Sequence, residues 1–154
     1  MSTGTLFDLT FYLAAPFWTV MILAPGWTWT RRIAGSPWIA AVPLVVYLIV
    51  ALPEFGTLWN VVSSPDLETL RAFLGTPAGA AAIWAHLIGF DLFVGRWMYL
   101  DSRARGTHPA VMAPVLVLTI LLSPLGLLAY LAVRTVSRPV AADRAEEAAL
   151  ERES

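Results

Sequence analysis

The sequence predicts an all-α membrane protein, and two observations predict it. Hydrophobic residues make up 58% of the 154 residues, charged residues only 14%, and the mean hydropathy is +0.68. A soluble domain is usually about 45–50% apolar and about 25% charged. In addition, four apolar segments approach the length of about 20 residues that a membrane-crossing helix needs. We therefore predict one polytopic domain of four transmembrane helices over residues 1–135 and a charged, flexible tail over residues 136–154.

The four predicted transmembrane segments are set off by proline and glycine. They are Leu6–Ala24, Pro37–Leu52, Pro77–Leu100 and Pro109–Arg134. Proline opens three of them, which suits the first turn of a helix because the backbone N–H that proline lacks would be unpaired there. The second segment is the shortest, so we expect it to begin earlier in the chain or to lie shallow in the membrane.

A short amphipathic helix is predicted between the second and third segments. Ser64, Asp66 and Glu68 form a typical helix start. Apolar side chains then recur at helical spacing, at Leu67, Leu70, Phe73 and Leu74. A helix with one apolar face favours the membrane surface, although a solvent-exposed loop is the alternative.

The arginines predict the orientation in the membrane. Arg31 and Arg32 lie between the first two segments, and Arg96, Arg103 and Arg105 lie where the third meets the fourth. Positively charged loops remain cytoplasmic, so we place both of these loops in the cytoplasm and both chain termini on the opposite side. Arg134 argues against that position of the C-terminus. Lysine is absent, so every basic residue other than histidine is an arginine. We expect the protein to lie in the inner or plasma membrane of a bacterium.

Charge and composition exclude several classes of function. A net charge of −1 offers no electrostatic basis for binding nucleic acid, and cysteine is absent. Two histidines, His86 and His108, are predicted at different depths and lack the spacing of a helical metal site. We therefore predict no metal, no cofactor and no nucleic-acid partner, and we leave the oligomeric state open.

Asp91 is the most unusual residue, because it lies inside the third predicted transmembrane helix. At 1.5 Å per residue it is about 14 Å from the cytoplasmic end of that helix, which is too far for a short side chain to reach water. A charged aspartate at that depth costs about 3 kcal/mol on insertion scales, so protonation or pairing is expected. His86 points about 140° away around the helix, so partners should come from other helices.

Other predicted helices also carry polar faces. On the fourth segment the small and polar residues Thr119, Ser123, Gly126, Tyr130 and Arg134 share one face. If this helix runs antiparallel to the third, Thr119 lies level with Asp91. On the first segment Asp8, Tyr12, Ala15 and Thr19 share a face, and Tyr47 lies at a similar depth on the second. We expect these faces to turn inward, either as a site or as hydrogen-bonded packing between helices.

Three stretches resemble the abscisic-acid-deficient-4-like family of small four-helix membrane proteins. They are "FDLFVGRWMYLDSRARG", "SPLGLLAYLAVR" and the opening "LFDLTFYLAAPFWTVMILAP", and the resemblance covers about residues 5 to 135. It implies a role in carotenoid metabolism, as in the conversion of violaxanthin to neoxanthin in plant chloroplast membranes. That step isomerises an epoxide to an allene and a hydroxyl group.

The resemblance gives the polar residues a predicted task. Opening an epoxide needs a proton donor at oxygen, for which we predict Asp91, and a base at a neighbouring carbon, for which we predict His86. The ligand-binding candidates are Tyr12, Tyr47, Arg96, Asp101, Thr119 and Ser123. The alternative role for His86 is structural, and the alternative role for Arg96 is anchoring at the membrane interface.

Three functions remain open from the sequence. The first is conversion of a carotenoid or other isoprenoid lipid in the membrane, with that lipid as the partner. The second is a non-catalytic accessory protein that holds such a lipid or another carotenoid-pathway membrane enzyme. The third is a small transporter or a proton path through Asp91.

Overall fold

The structure is a computed structural model, and it describes residues 1–137. Most of the predicted C-terminal tail, residues 138–154, lies outside the described residues. Within them all regular elements are helices, which confirms the predicted all-α class. They are α1 (Thr3–Leu23), α2 (Thr28–Gly35), a 3₁₀ turn (Pro37–Ile39), α3 (Ala41–Ala51), α4 (Phe55–Ser63), α5 (Leu67–Leu74), α6 (Pro77–Ala104), α7 (Pro109–Leu121) and α8 (Ser123–Val136).

Two helices of the described chain are long and apolar enough to cross a membrane. They are α1, with 21 residues, and α6, with 28 residues. At 1.5 Å per residue, α6 is about 42 Å long, so it exceeds the hydrocarbon core of a bilayer. A third candidate is the bent pair of α3 and α4, if the pair counts as one span. These lengths support a membrane protein with two or three spans, fewer than the four that we predicted.

The second predicted segment stops close to its predicted end at Leu52, because Pro53 interrupts the chain. The 3₁₀ turn and α3 cover the predicted residues, and α4 then leaves at an angle of 100°. Proline has no N–H to donate to the preceding turn, so a break next to Pro53 costs less than a break elsewhere. As a result, α4 points away from the direction of α3.

The predicted amphipathic helix is present as α5. Its N-cap is Asp66, whose carboxylate accepts hydrogen bonds from the backbone N–H and the hydroxyl of Thr69, both at 2.9 Å. Phe73 is buried, whereas Leu67 is exposed. The local start signal in the sequence was therefore sufficient to locate this helix.

The prediction of one continuous fourth helix is wrong, because the chain leaves helical geometry at Leu122. This residue has φ −146° and ψ 72°, and it separates α7 from α8. Each of these helices is about 20 Å long, shorter than the hydrocarbon core. Thr119 and Gly126, which would be about 10 Å apart in one helix, are in direct contact. The two helices therefore fold against each other as a hairpin.

The chain divides into two compact units, and the first contains Met1–Pro16 and Pro37–Leu92. Its core joins residues from α1, α3 and α6: Leu6, Val46, Val50, Ala81, Ala82 and Ala85. The alanines of α6 allow a close approach between helices. Gly89 continues this contact, because a Cβ there would lie 2.5 Å from Leu44 of α3.

The second unit contains Phe17–Ser36 and Phe93–Ser154, of which residues up to 137 are described. The indole ring of Trp18 packs directly over Gly95, where a Cβ would be 2.1 Å away. The Tyr99 hydroxyl donates to the carbonyl of Pro25 at 2.8 Å. The loop after α1 is thus attached to the C-terminal part of α6.

Candidate functional site

Two of the predicted site residues, His86 and Tyr47, come together in the first unit. Their rings are 5.8 Å apart and meet edge to face at 63°. His86 also stacks on Phe90, at 4.6 Å and 15°. The partly buried imidazole therefore contacts two aromatic rings, which restrict its orientation.

Asp91 is partly buried near the midpoint of α6, in the same unit as His86. It lies 14 residues, or about 21 Å, from the start of the helix at Pro77. Since α6 is one of the two spanning candidates, this carboxyl group is deep in the membrane whenever α6 crosses it. A carboxyl group and an imidazole therefore occur five residues apart in the middle of one candidate span.

Tyr12 does not turn inward as predicted. Its side chain is 70% exposed, and Asp8 and Thr19 on the same face of α1 are also exposed. Leu6, Thr10, Ala14 and Trp18 form the buried face instead. Ala14 on the buried face allows close packing between helices, which is what favours helix contacts within a membrane.

Asp101 anchors a dense network at the end of α6 in the second unit. Its Oδ2 atom accepts hydrogen bonds from the Tyr130 hydroxyl at 2.5 Å and from Nε of Arg105 and Nε of Arg134, both at 2.8 Å. Trp97 packs edge-on against Tyr130 at 5.4 Å and lies below the Arg134 guanidinium at 6.0 Å. This carboxylate oxygen is saturated by the chain itself, so the predicted ligand-binding role for Asp101 gains no support here.

Asp101, Arg105, Tyr130 and Arg134 were singled out in the sequence, but the hydrogen bonds that join them were not predicted. The i,i+4 spacing of Asp101 and Arg105 predicts one ion pair. The other two bonds depend on the return of α8 to the end of α6. The hydrogen bond to Asp101 also raises the pKa of Arg105 above its ordinary value.

Arg96 is held by the chain and completes the end of α2. Its Nη2 donates to the Gly35 carbonyl at 2.8 Å, and its Nε donates to the Ser36 carbonyl at 3.2 Å. The last carbonyls of a helix lack partners within the helix and carry partial negative charge. A guanidinium that binds both of them stabilises the α2 end, which is a structural role.

The last two predicted ligand-binding residues belong to the hairpin. Thr119 is buried, donates to the Val115 carbonyl at 2.8 Å and lies 3.8 Å from the sulfur of Met98. Ser123 is partly buried at the start of α8. Among residues 1–137 there is no group of three or more His, Asp or Glu side chains that could hold a metal ion.

A cleft in the first unit, mostly apolar but with polar side chains along one wall, was not predicted from the sequence. The cleft has a volume of about 680 Å³, and its wall includes Thr57 and Asn60 of α4 and Glu54, which directly precedes that helix. Residues three apart on a helix lie near one face, so the spacing of these three was a usable signal. The apolar character of the surrounding segment concealed it.

The described fold and contacts define a class: helical proteins with membrane-length apolar helices and polar residues within them. The chain belongs to the ABA DEFICIENT 4-like family, whose sequence model matches residues 5–130. The family resemblance seen in the sequence is therefore confirmed.

A similar protein is the chloroplastic protein ABA DEFICIENT 4 of Arabidopsis thaliana. It is 32% identical over 93 residues, which cover 56% of this chain and 42% of the relative. The matched region is thus less than half of the length of that relative. No solved structure matches the chain.

Proposed function

We propose that the protein is an integral membrane protein that converts a carotenoid or related isoprenoid lipid, or assists its conversion. The observation that carries this proposal is family membership over residues 5–130. The family's plant chemistry is an epoxide isomerisation. Long apolar helices that place polar side chains within them suit a substrate that is dissolved in the membrane.

The chemistry assigned to the pair of Asp91 and His86 is balanced without a cofactor. The His86 imidazole removes a proton from the carbon next to the epoxide, and the released electron pair forms the new double bond. The carbon–oxygen bond of the epoxide breaks, and Asp91 donates a proton to the oxygen. The product is an isomer of the substrate, with an allene and one new hydroxyl group in place of the epoxide, and a proton passed from imidazole to carboxylate resets the pair.

We place α1, α6 and the segment around α3 across the membrane, with the arginine-bearing loops in the cytoplasm. The α7–α8 hairpin then enters from the cytoplasmic side and returns to it without crossing. Its two arms of about 20 Å are too short to span. The attachment of the hairpin end to Asp101 supports this arrangement.

A non-catalytic accessory protein is the second candidate. One observation favours it: Asp101, Arg96 and Thr119, which were predicted to bind a ligand, use the hydrogen bonds described above to hold the chain together. Such a protein would position the lipid, or the enzyme that converts it, without acid–base chemistry of its own.

Purified protein in lipid vesicles that contain violaxanthin tests the proposal. We expect wild-type protein to form an isomer that separates from violaxanthin by chromatography, and Asp91→Asn to lose this activity while it keeps its helical circular dichroism and melting temperature. Asp8→Asn is the matched control, because Asp8 is an exposed carboxylate on α1. A folded and fully active Asp91→Asn protein would remove the acid role. No turnover by purified wild-type protein would favour the accessory function.

A further inference from the structure

The cleft of the first unit is large enough to hold part of a ligand. Its volume of about 680 Å³ falls in the range of small-molecule sites. It is bounded by the start of α1, by α4 and α5, and by the start of α6. The lining residues are Thr3, Glu54, Thr57, Asn60, Val61, Thr69, Ala72, Phe73, Thr76, Pro77 and Ala78.

The polar groups on the α4 wall are available to a ligand. Within the described residues, the side chains of Glu54, Thr57 and Asn60 have no hydrogen-bond or ion-pair partner. Glu54 is also partly buried and does not cap α4, although it precedes the first residue of that helix. By contrast, the hydroxyl groups of Thr69 and Thr76 already bond to the chain. Three unpaired groups on one wall can accept and donate hydrogen bonds to a molecule in the cleft.

The chemistry of the lining specifies the class of ligand. The lining residues include a carboxylate but no arginine or histidine, so an anionic headgroup would be repelled. The carboxylate and the amide of Asn60 suit a hydroxyl group, which can both donate and accept. Phe73 and Val61 also line the cleft, are buried, and provide an apolar contact.

The position of the cleft specifies where the rest of the ligand lies. Thr3 begins α1 and Pro77 begins α6, and these two helices are the spanning candidates. The start of a spanning helix lies at the membrane surface, where the polar end of an amphipathic lipid also lies. We infer that the cleft binds the hydroxylated, uncharged end of an amphipathic membrane lipid. This inference rests on the proposed function for the isoprenoid nature of that lipid.

Cysteine labelling tests the inference, because the chain contains no cysteine. Thr57→Cys places one thiol in the cleft, and Ser64→Cys places one on an exposed residue outside its lining. The two proteins are placed in vesicles with zeaxanthin, which has hydroxylated end groups, or with β-carotene, which has the same skeleton without hydroxyl groups. The measurement is the rate at which each thiol reacts with a water-soluble maleimide.

We expect zeaxanthin to slow labelling of Thr57→Cys severalfold and to leave Ser64→Cys unchanged, whereas β-carotene slows neither. Adding Asn60→Ala to Thr57→Cys should raise the zeaxanthin concentration for half-protection by about fivefold, the equivalent of one hydrogen bond. Equal protection by β-carotene, equal protection at both thiols, or no protection would each overturn the inference. Protection without turnover of violaxanthin would support the cleft as a lipid site and contradict the catalytic function. Turnover without protection would support the catalytic function and contradict the cleft as a lipid site.

Discussion

The guanidinium of Arg134 lies 2.8 Å from the carboxylate of Asp101, although the two residues are 33 positions apart. This ion pair joins the end of α8 to the end of α6. Arg105 binds the same oxygen and also donates to the carbonyl of Ser137 at 3.0 Å. The chain therefore returns, after two helices, to the point from which α7 departs.

This return predicts the side of the membrane on which α8 ends. We expect a reporter fused after Ser137 to give the same orientation as a reporter inserted after Arg105, because the hairpin enters and leaves on one side. A reporter at Ser64 should give the opposite orientation. Opposite results at Arg105 and Ser137 would restore a fourth span and contradict the hairpin. The expected result also brings Arg134 to the cytoplasmic side, in agreement with the charge rule.

Removal of the charge on Asp101 should destabilise the protein. Asp101→Asn leaves the guanidinium groups of Arg105 and Arg134 close together without an anion between them. Hydrogen bonds to charged groups contribute about 1.5–3 kcal/mol each, so we expect a net loss of about 1–3 kcal/mol at this partly exposed site. The measurement is unfolding in detergent, followed by circular dichroism. Glu68→Gln is the control, because its ion pair with Arg71 is about three-quarters exposed and should contribute little.

Gly126 should not tolerate even one additional carbon atom. A Cβ at this residue would lie 2.2 Å from the Thr119 hydroxyl oxygen and 2.6 Å from the Thr119 backbone nitrogen. We expect Gly126→Ala to cost about 1–3 kcal/mol, because the backbone of α7 must move. A Cβ at Gly56 on α4 meets nothing within 4 Å, so Gly56→Ala should be neutral or stabilise the protein by up to about 1 kcal/mol. Equal melting temperatures for the two variants would contradict this packing.

The sequence located helices better than it located their breaks. The helix α5 was predictable because Asp66 and Thr69 form a local cap, whose signal lies within four residues. Hydropathy counts apolar length and therefore joined α7 to α8. The pair Ser123-Pro124 is itself a helix start and could have marked the break. The partners of Asp101 could not be predicted, since Tyr130 and Arg134 reach it only when the hairpin has formed.

The cap of α5 should make the stability of the protein depend on pH. The hydrogen bond from the Thr69 backbone N–H, with that from its hydroxyl, lowers the pKa of Asp66 below its ordinary value. Because the carboxyl pKa is lower in the folded state, the cap stabilises the fold at pH values above the pKa of about 3.9 in the unfolded state. This stabilisation is lost as the pH falls through the pKa of the folded state. The difference in melting temperature between wild type and Asp66→Ala should be constant near neutral pH and shrink below about pH 4. A difference that grows on acidification would contradict the cap.

His86→Phe separates a chemical role of the imidazole from a structural one. A phenyl ring can keep the stacking on Phe90 and the edge contact with Tyr47, so we expect the melting temperature to change little. The phenyl ring has no nitrogen to accept a proton. If His86 is the base, turnover of violaxanthin should fall about 100-fold or more, the usual contribution of a general base. His108→Phe is the control, because it makes the same replacement at an exposed imidazole that lies outside the first unit. Retained turnover in a folded His86→Phe protein would assign His86 to packing and leave the base to another group.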